Sequence, residues 1–449
     1  MKLAAILLPL VLVFAFVARH DGLTPTPPGV VSGDEPHYLM VVSSLLYDRD
    51  LQLQDDYRRV LAGGPQAGLD YRGNELDHHT ILVDVRTGEH DLWQRVYDWS
   101  VHVPCTQPCV PFRKLLPRLG PGPDVIEVPA HPPAWPALLA LMVAPLRPGP
   151  EALERVAANA VALLAWLALV ATALAGRRAG FSQGEALGAA LLAGIASPWL
   201  AYTRSYFAEV PIGLALSLAL WALLSRRPVL AGLAVVAAAA LKPPFGLIGP
   251  VWAADLWLHG RRKEALRLGT VVLGGGAAIV AFNLWLAHTP VVFGSAPFGF
   301  GGAGLGGIGV MLFDNAHGLL NFAPWAVLAL WVAARPGVDR SAGGPDATSA
   351  AGPWTRSPSR PDWVRWVSLG AAPYLAIVAV NKSPEGGYCY GPRYWIPLIP
   401  WLALLAMQAR GARKLLVGLA LISAITAIPG ALRYRHLFNE PAMAALLRK

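Results

Sequence analysis

The stretch of sequence from residue 153 to residue 178 reads LERVAANAVALLAWLALVATALAGRR. Its apolar part is long enough, as an α-helix, to cross a membrane, whose hydrocarbon core takes about 20 residues. The two arginines at its end, Arg177 and Arg178, are typical of a loop on the cytoplasmic side. This stretch therefore predicts one membrane-spanning helix together with its orientation.

Similar apolar runs recur along the chain and predict about eleven spans in total, several of them with uncertain ends. They lie near residues 3–18, 153–176, 186–203, 210–225, 229–241, 245–258, 268–287, 319–334, 366–380, 394–409 and 415–430. Of the 449 residues, 55% are hydrophobic and 14% are charged, whereas a soluble domain averages about 25% charged residues. We therefore predict an all-α polytopic membrane protein.

The basic residues cluster in short loops between these runs, as the positive-inside rule describes. The other clusters are Arg226-Arg227, Arg261 to Lys263, and Arg410 with Arg413-Lys414. If Arg177 and Arg178 are cytoplasmic, alternation puts every cluster and the 335–365 loop inside. It puts residues 204–209, 242–244, 288–318 and 381–393 outside. The net charge of +9 thus indicates a membrane topology and not a nucleic-acid partner.

Three parts of the chain follow from this topology. An N-terminal block, 1–334, contains a long first outer loop, 19–152; a flexible cytoplasmic linker, 335–362, leads to a C-terminal block, 363–449. The apolar run from Ala134 to Leu146 breaks the alternation if it crosses, so we expect a juxtamembrane or re-entrant helix on the outer face. The first span is expected to be an uncleaved anchor, with a cleaved signal peptide as the alternative.

The first outer loop opens with the sequence SGDEPHYL, residues 32–39. Acidic residues at the edge of a membrane bundle are costly to place there and usually mark a functional site. Asp34 and Glu35 are therefore candidate catalytic residues. The alternative is helix capping, with Asp34 as the N-cap and Pro36 near the first helical position. The two interpretations are compatible, since a capping carboxylate can also be catalytic.

Four cations in outer turns run against the positive-inside bias. They are Arg204, Lys242, Lys382 and Arg393. Arg and Lys bind phosphate through charge-assisted hydrogen bonds, so an anionic ligand on that face would explain them. Contact with lipid headgroups, or snorkelling at helix ends, is the alternative.

The cysteines and glycines of the outer loops leave two alternatives open. Cys105 and Cys109 favour a disulfide over a zinc site that would also use His102 and His78 or His79, and free thiols stay open as a third alternative. The Gly-rich stretch from residue 298 to residue 309 is either a mobile cover near the site or an ordinary loop. The sequence predicts no cofactor, although a divalent metal stays open, and it has no nucleotide-binding Gly-rich motif.

Four sequence elements together resemble a known group. They are Asp34-Glu35 in GDEPHYL, His131-Pro132-Pro133, Ser197-Pro198 followed by the turn from Tyr206 to Pro211, and the stretch GYCYGPRY that ends at Tyr394. With the topology, they resemble the GT-C glycosyltransferases, especially the branch of protein O-mannosyltransferases and aminoarabinose lipid A transferases. Two departures are His131, where the family often has lysine, and the tail of about 19 residues after the last predicted span. We therefore do not expect the soluble substrate-recognition domain that some members of the family have.

The resemblance implies transfer of a sugar from a polyprenyl-phosphate donor to a lipid, glycan or protein acceptor, at the extracytoplasmic face of the plasma membrane. Asp34 would be the general base, and Glu35 would position it or bind substrate. The four outer cations, with His131 if protonated, would stabilise the leaving phosphate. We also assign substrate binding to five side chains: His37, Tyr38, Glu209, Glu385 and Tyr390.

A single base with direct displacement predicts inversion at the anomeric carbon, because a retaining enzyme needs a carboxylate nucleophile close to the sugar. The alternatives are a lipid-linked polysaccharide polymerase or ligase and a secondary transporter. A polymerase or ligase typically has its site in a large later outer loop, whereas here the first is the largest. A transporter would show internal repeats and charged or broken helices near the midplane.

Overall fold

The computed structural model describes residues 2–21, 24–25, 35–56, 78–95, 122–149, 152–288, 304–335, 362–381, 384, 386, 389–432 and 441. These residues are mostly helical, as the sequence predicts. The helices of the first half are α1 Lys2–Arg19, α2 Glu35–Ser43, α3 Ala134–Val143, α4 Leu153–Arg178, α5 Gln183–Gly194, α6 Trp199–Tyr202, α7 Glu209–Leu224 and α8 Pro228–Leu241. Those of the second half are α9 Ile248–Leu258, α10 Arg262–Ala287, α11 Leu305–Phe313, α12 Leu319–Phe322, α13 Ala326–Ala334, α14 Asp362–Ala379, α15 Ile399–Met407 and α16 Arg413–Leu432.

Among the described residues, three helical stretches are long and apolar enough to cross a membrane, judged by length and composition. They are Leu153–Arg178, Arg262–Ala287 and Arg410–Leu432, the last of which includes a short 3₁₀ turn before α16. In α4, 67% of the apolar 18-residue segment is buried inside the protein, whereas in α10 only 22% of the corresponding segment is buried. We conclude that α4 is a central helix of the bundle, whereas α10 exposes most of its apolar surface.

Proline ends or interrupts several of the remaining helices, because it lacks the N–H that continues a helix and clashes with the preceding turn. Pro198 lies between α5 and α6, Pro243 follows α8, and Pro324 separates α12 from α13. The segments Pro243–Leu247 and Arg393–Leu398 are 3₁₀ turns that lead into α9 and α15. Each predicted apolar run therefore contains helix, although several runs contain two shorter pieces instead of one.

One apolar core joins the N-terminal and C-terminal blocks. The central helix α4 packs against α1, α5 and α7, and α15 packs against α5 and α13. The core cluster extends from Leu7 in α1 to Ala431 in α16. Its largest fully buried side chains include five tryptophans: Trp135, Trp199, Trp252, Trp325 and Trp401.

The first loop also contains strands, which were not predicted from the sequence. A short pair, β1 His20–Asp21 and β2 Thr24–Pro25, follows α1. A three-stranded antiparallel sheet is made by β3 His78–Asp84, β4 His90–Arg95 and β5 Val125–Pro129, in the order β4-β3-β5. Its apolar side chains, among them Val83 and Val128, pack with Leu286 at the end of α10.

The segment from residue 134 to residue 146 is helical, as predicted, and its position on the outer face of the membrane stays a prediction. It consists of α3 followed by the 3₁₀ turn Ala144–Leu146. It packs on α2 and α4. Residues 298–303 of the Gly-rich stretch, most of the predicted 335–362 linker, and Cys105 and Cys109 lie outside the described residues. The second half of the Gly-rich stretch is not a loop, because α11 begins at Leu305.

Contacts between helix termini define two ends of the bundle. At one end, here called the site end, Tyr206 reaches the start of α4, and Lys242 after α8 reaches Glu209 at the start of α7. At the other, here called the basic end, Arg413 at the start of α16 pairs with Glu185 in the first turn of α5. These contacts place the start of α4, the start of α7 and the end of α8 at the site end, and the starts of α5 and α16 at the basic end.

Candidate functional site

The site end is organised around a connector, residues 203–208, which links α6 to α7. Every residue of this connector is buried. A buried segment without regular structure must still satisfy its backbone polar groups. The N–H of Phe207 donates to Ser205 Oγ, and the N–H of Tyr206 donates to Glu35 Oε1 at 2.7 Å. The connector therefore depends on particular side chains, including one from the first outer loop.

Glu35 is the first residue of α2 and is only 2% exposed. A carboxylate there is favoured by the positive end of the helix dipole, and the N–H of Tyr206 adds a charge-assisted bond. The carbonyl of Tyr206 accepts from Trp135 Nε1, and its hydroxyl donates to the carbonyl of Glu154. Tyr206 thus ties the first loop to α3 and to the start of α4.

Close to Glu35 in sequence, α2 also contains His37 and Tyr38, whose rings lie near that of His131. The ring centroid of His131 lies 5.2 Å from that of His37 and 5.4 Å from that of Tyr38. His37 is 1% exposed, Tyr38 is 6% exposed and His131 is 9% exposed. We call Glu35, His37, Tyr38 and His131 the acid-imidazole cluster.

A second group, the cation cluster, consists of Glu209, Lys242 and Arg393. Glu209 Oε1 lies 2.9 Å from Arg393 Nε and 3.2 Å from Lys242 Nζ. The carboxylate is 1% exposed, while the side chains of Lys242 and Arg393 are 23% and 13% exposed. Formal charges of −1, +1 and +1 leave a net charge of +1 on this cluster.

Local sequence explains why these three groups meet. Glu209 begins α7, where the helix dipole favours an acid. Pro243 and Pro244 end the helix α8 directly after Lys242. Gly391 adopts a φ of +62°, which favours glycine, and turns the chain toward Arg393. The guanidinium carbon of Arg393 lies 3.8 Å from the ring centroid of Phe207. That separation is short enough for a cation–π contact.

The two clusters are linked through consecutive residues. Tyr206 is bonded to Glu35, and Phe207 stacks with Arg393. Because neighbouring Cα atoms are about 3.8 Å apart, the connector brings the acid-imidazole cluster and the cation cluster to the same part of the molecule. Acidic, imidazole and cationic side chains distant in sequence therefore share the site end.

Arg204 and Tyr390 are also buried at this end. Arg204 is 6% exposed, and its Nη1 donates to the carbonyl of Ala431 at 3.0 Å. The carbonyl of Tyr390 accepts from the hydroxyl of Tyr202 at 3.0 Å. These contacts attach the connector and α6 to the C-terminal block.

Nine of the predicted site residues are thus described at the site end: Glu35, His37, Tyr38, His131, Arg204, Glu209, Lys242, Tyr390 and Arg393. Asp34, Lys382 and Glu385 lie outside the described residues. No role was predicted from the sequence for Trp135, Tyr206 or Phe207, which connect the clusters. Aromatic residues in a short turn between two apolar runs are the signal that could have indicated them.

The described residues contain no group of three or more His, Cys, Asp or Glu side chains arranged to hold a metal ion. An open cavity lies at the basic end, far from the two clusters in the fold. No family model matches the chain, and neither the curated proteins nor the solved structures provide a match.

Proposed function

We propose that this protein is an integral-membrane glycosyltransferase of the GT-C type. It would transfer a sugar from a polyprenyl-phosphate donor to an acceptor at the outer face of the membrane. The observation that supports the proposal best is the pair of clusters joined by Tyr206 and Phe207, with Glu35 bonded on one side and Arg393 stacked on the other. This reaction needs both an acid–base group and a group that stabilises a phosphate.

In the proposed reaction, an acceptor hydroxyl attacks the anomeric carbon and forms a new glycosidic bond. The bond from that carbon to the phosphate oxygen breaks, and polyprenyl phosphate leaves with the electron pair. Asp34 accepts the hydroxyl proton, a step worth about 10²–10⁴-fold in rate. One base and one displacement give inversion at the anomeric carbon.

The bonding of Glu35 supports a positioning role for that residue. Its Oε1 accepts a hydrogen bond from the backbone N–H of Tyr206, and only 2% of the residue is exposed. A carboxylate held in this way fixes the start of α2, and Asp34 is the preceding residue. We therefore keep Asp34 as the base and assign Glu35 to orienting it.

The cation cluster supports binding of the phosphate. Its net charge of +1 follows from one carboxylate and two cations, each of which lies within 3.2 Å of that carboxylate. A fixed cation in a site with little water stabilises the charge that develops on a leaving phosphate. Arg204 and Lys382 would add to this field, as would His131 if protonated.

Glu209 has a second feature that fits a sugar ligand. Its Oε2 is buried and has no hydrogen-bond partner among the described residues. A buried acceptor without a donor is uncommon and calls for an explanation such as a ligand or ordered water. A sugar hydroxyl is a donor of the required kind, so we assign Glu209 to substrate binding as well as to holding Lys242 and Arg393.

The proposal also includes the number of membrane spans and their orientation. About eleven spans would cross the membrane, with the basic end in the cytoplasm and the site end outside. The short helices α5 and α6, or α12 and α13, would each form one span interrupted at proline. Contacts between helix termini at each end support this arrangement.

The test is transfer from a mixture of radiolabelled polyprenyl-phosphate sugars in membranes that contain the full chain. Asp34→Asn keeps the size of the side chain and much of its capping ability, but it cannot accept a proton. We expect transfer to fall by about 10²–10⁴-fold. The matched control is Glu89→Gln, an exposed carboxylate in the turn between β3 and β4 of the same loop.

Two outcomes would contradict the proposal in different ways. If Asp34→Asn transfers sugar as fast as the wild type at equal expression, Asp34 is not the base. If the wild type itself transfers nothing from any lipid-linked donor, the glycosyltransferase proposal is refuted.

A further inference from the structure

The basic end contains an open cavity of about 540 Å³. It lies where α4 ends and α5 begins, opposite the turn between α15 and α16. Three arginines from these two chain segments line it: Arg177, Arg410 and Arg413. Neither the proposed transfer reaction nor the acid-imidazole and cation clusters use these residues.

One acid, Glu185, organises the cavity wall. It accepts from Arg413 Nη2, and Arg410 Nε lies 3.8 Å from the same oxygen. Glu185 also closes a capping box, since its Oε2 accepts the N–H of Ser182 while Ser182 Oγ accepts the N–H of Glu185. The carboxylate is therefore held by the helix itself and fixes Arg413 beside the cavity.

Three arginines and one glutamate give the cavity a formal charge of +2. The side chains of Arg410 and Arg413 are 61% and 59% exposed, and that of Glu185 is 14% exposed. Each guanidinium has five N–H donors, so a single ion pair with Glu185 leaves donors of Arg410 and Arg413 directed elsewhere. This arrangement is suited to an anion with more than one negative group.

The position of the cavity indicates where that anion comes from. The cavity lies beside the C-terminus of α4, a helix long and apolar enough to cross a membrane, and beside the start of the Arg410–Leu432 stretch. The ends of such helices are at the depth of lipid phosphates, and basic pockets between them bind anionic headgroups.

We propose that this cavity binds the headgroup of an anionic phospholipid that has two phosphodiester groups, which Arg177, Arg410 and Arg413 contact. Two phosphodiesters match the formal charge of +2, whereas a zwitterionic headgroup brings no net charge. Inorganic phosphate shares the chemistry but lacks the acyl chains that would lie along α4. The proposal does not depend on the sugar-transfer reaction.

The test uses the purified full chain in a non-ionic detergent. Thermal unfolding is followed by tryptophan fluorescence during titration with cardiolipin, phosphatidylcholine or inorganic phosphate. A ligand that binds the folded state alone raises the unfolding temperature with its concentration. We expect cardiolipin to raise it and the other two probes to have little effect.

A matched pair of double variants tests whether cardiolipin binds in the cavity. Arg410→Gln with Arg413→Gln removes two cavity cations, and we expect the apparent affinity for cardiolipin to fall about tenfold or more, because charge-assisted bonds are lost. The control, Arg178→Gln with Lys414→Gln, removes the same charge from the neighbouring positions, which do not line the cavity. We expect it to bind like the wild type.

Three results would overturn the proposal. The first is an equal loss of affinity in both double variants, which would mean general attraction to a basic surface. The second is no loss in either variant. The third is a shift with inorganic phosphate as large as that with cardiolipin. If the cavity double variant does not fold, the single variant Arg410→Gln replaces it, since that side chain is 61% exposed.

Discussion

Replacing Glu209 by glutamine should destabilise the protein far more than the same change at Glu185. Each glutamate lies between two cations, so the two changes are matched in chemistry. The side chain of Glu209 is 1% exposed, and its cations are 23% and 13% exposed. The side chain of Glu185 is 14% exposed, but its cations are 61% and 59% exposed. Burial is therefore the difference that the comparison isolates.

The expected magnitudes follow from burial. Removing one partner of a buried ion pair costs about 3–5 kcal/mol, because the remaining charge stays desolvated without compensation. Exposed ion pairs are worth about 0–1 kcal/mol. Glu209→Gln raises the net charge of the cation cluster, whose side chains are mostly buried, from +1 to +2. We expect a loss of about 3–5 kcal/mol for this variant and about 1 kcal/mol or less for Glu185→Gln.

The assay is the free energy of unfolding of the purified protein in detergent, followed through its 16 tryptophans. The double variant Glu209→Gln with Lys242→Gln restores the net charge of +1 and should be less destabilised than the sum of the two single changes, as expected for groups in contact. Equal losses at Glu209 and Glu185, or additive effects in the double variant, would refute the electrostatic explanation.

Two further changes test the packing that holds the connector. Gly430→Ala places a Cβ in steric conflict with the hydroxyl of Tyr390, while Gly418→Ala in the same helix meets nothing within 4 Å. Overpacking costs about 1–3 kcal/mol, so thermal unfolding should show a loss for Gly430→Ala and none for Gly418→Ala. Trp135→Phe removes the indole donor to the carbonyl of Tyr206. It should cost about 0.5–1.5 kcal/mol in the same assay, and an unchanged unfolding temperature would contradict the assigned role of that bond.

The helices were predictable because a long apolar run is most stable as a helix. A long apolar segment must satisfy its backbone hydrogen bonds internally, and an α-helix does so within one segment. The predicted run at 153–176 is α4, Leu153–Arg178, and the run at 210–225 is α7, Glu209–Leu224. Where proline interrupts a run, as at Pro198, the sequence predicts the break but not how the two pieces pack.

The sheet of the first loop was not predictable in the same way. β3 pairs with β5, a strand far from it along the chain, with Ile81 opposite Val128. Such pairing depends on contacts distant in sequence, whereas helix formation depends on neighbours. The loop also has few of the regular alternations by which a half-buried strand is recognised.

For the site, the sequence placed Glu209, Lys242 and Arg393 on one side of the membrane through the alternation of spans, which stays a prediction. It did not predict that Lys242 and Arg393 share the carboxylate of Glu209. That contact depends on how α7, α8 and the turn before α15 pack. From the sequence alone, the cations were predicted to be separate phosphate ligands and Glu209 a substrate ligand.

The shared carboxylate changes how a phosphate could bind. Burying two cations alone would be costly, so Glu209 makes it feasible to keep the side chains of Lys242 and Arg393 mostly buried. Arg393 contacts Glu209 through Nε, which is one of several guanidinium donors. A phosphate could therefore approach the terminal nitrogens without breaking that bond. The preformed pairs would then hold the cations in position before the leaving phosphate acquires its charge, which is when a fixed positive group is most effective.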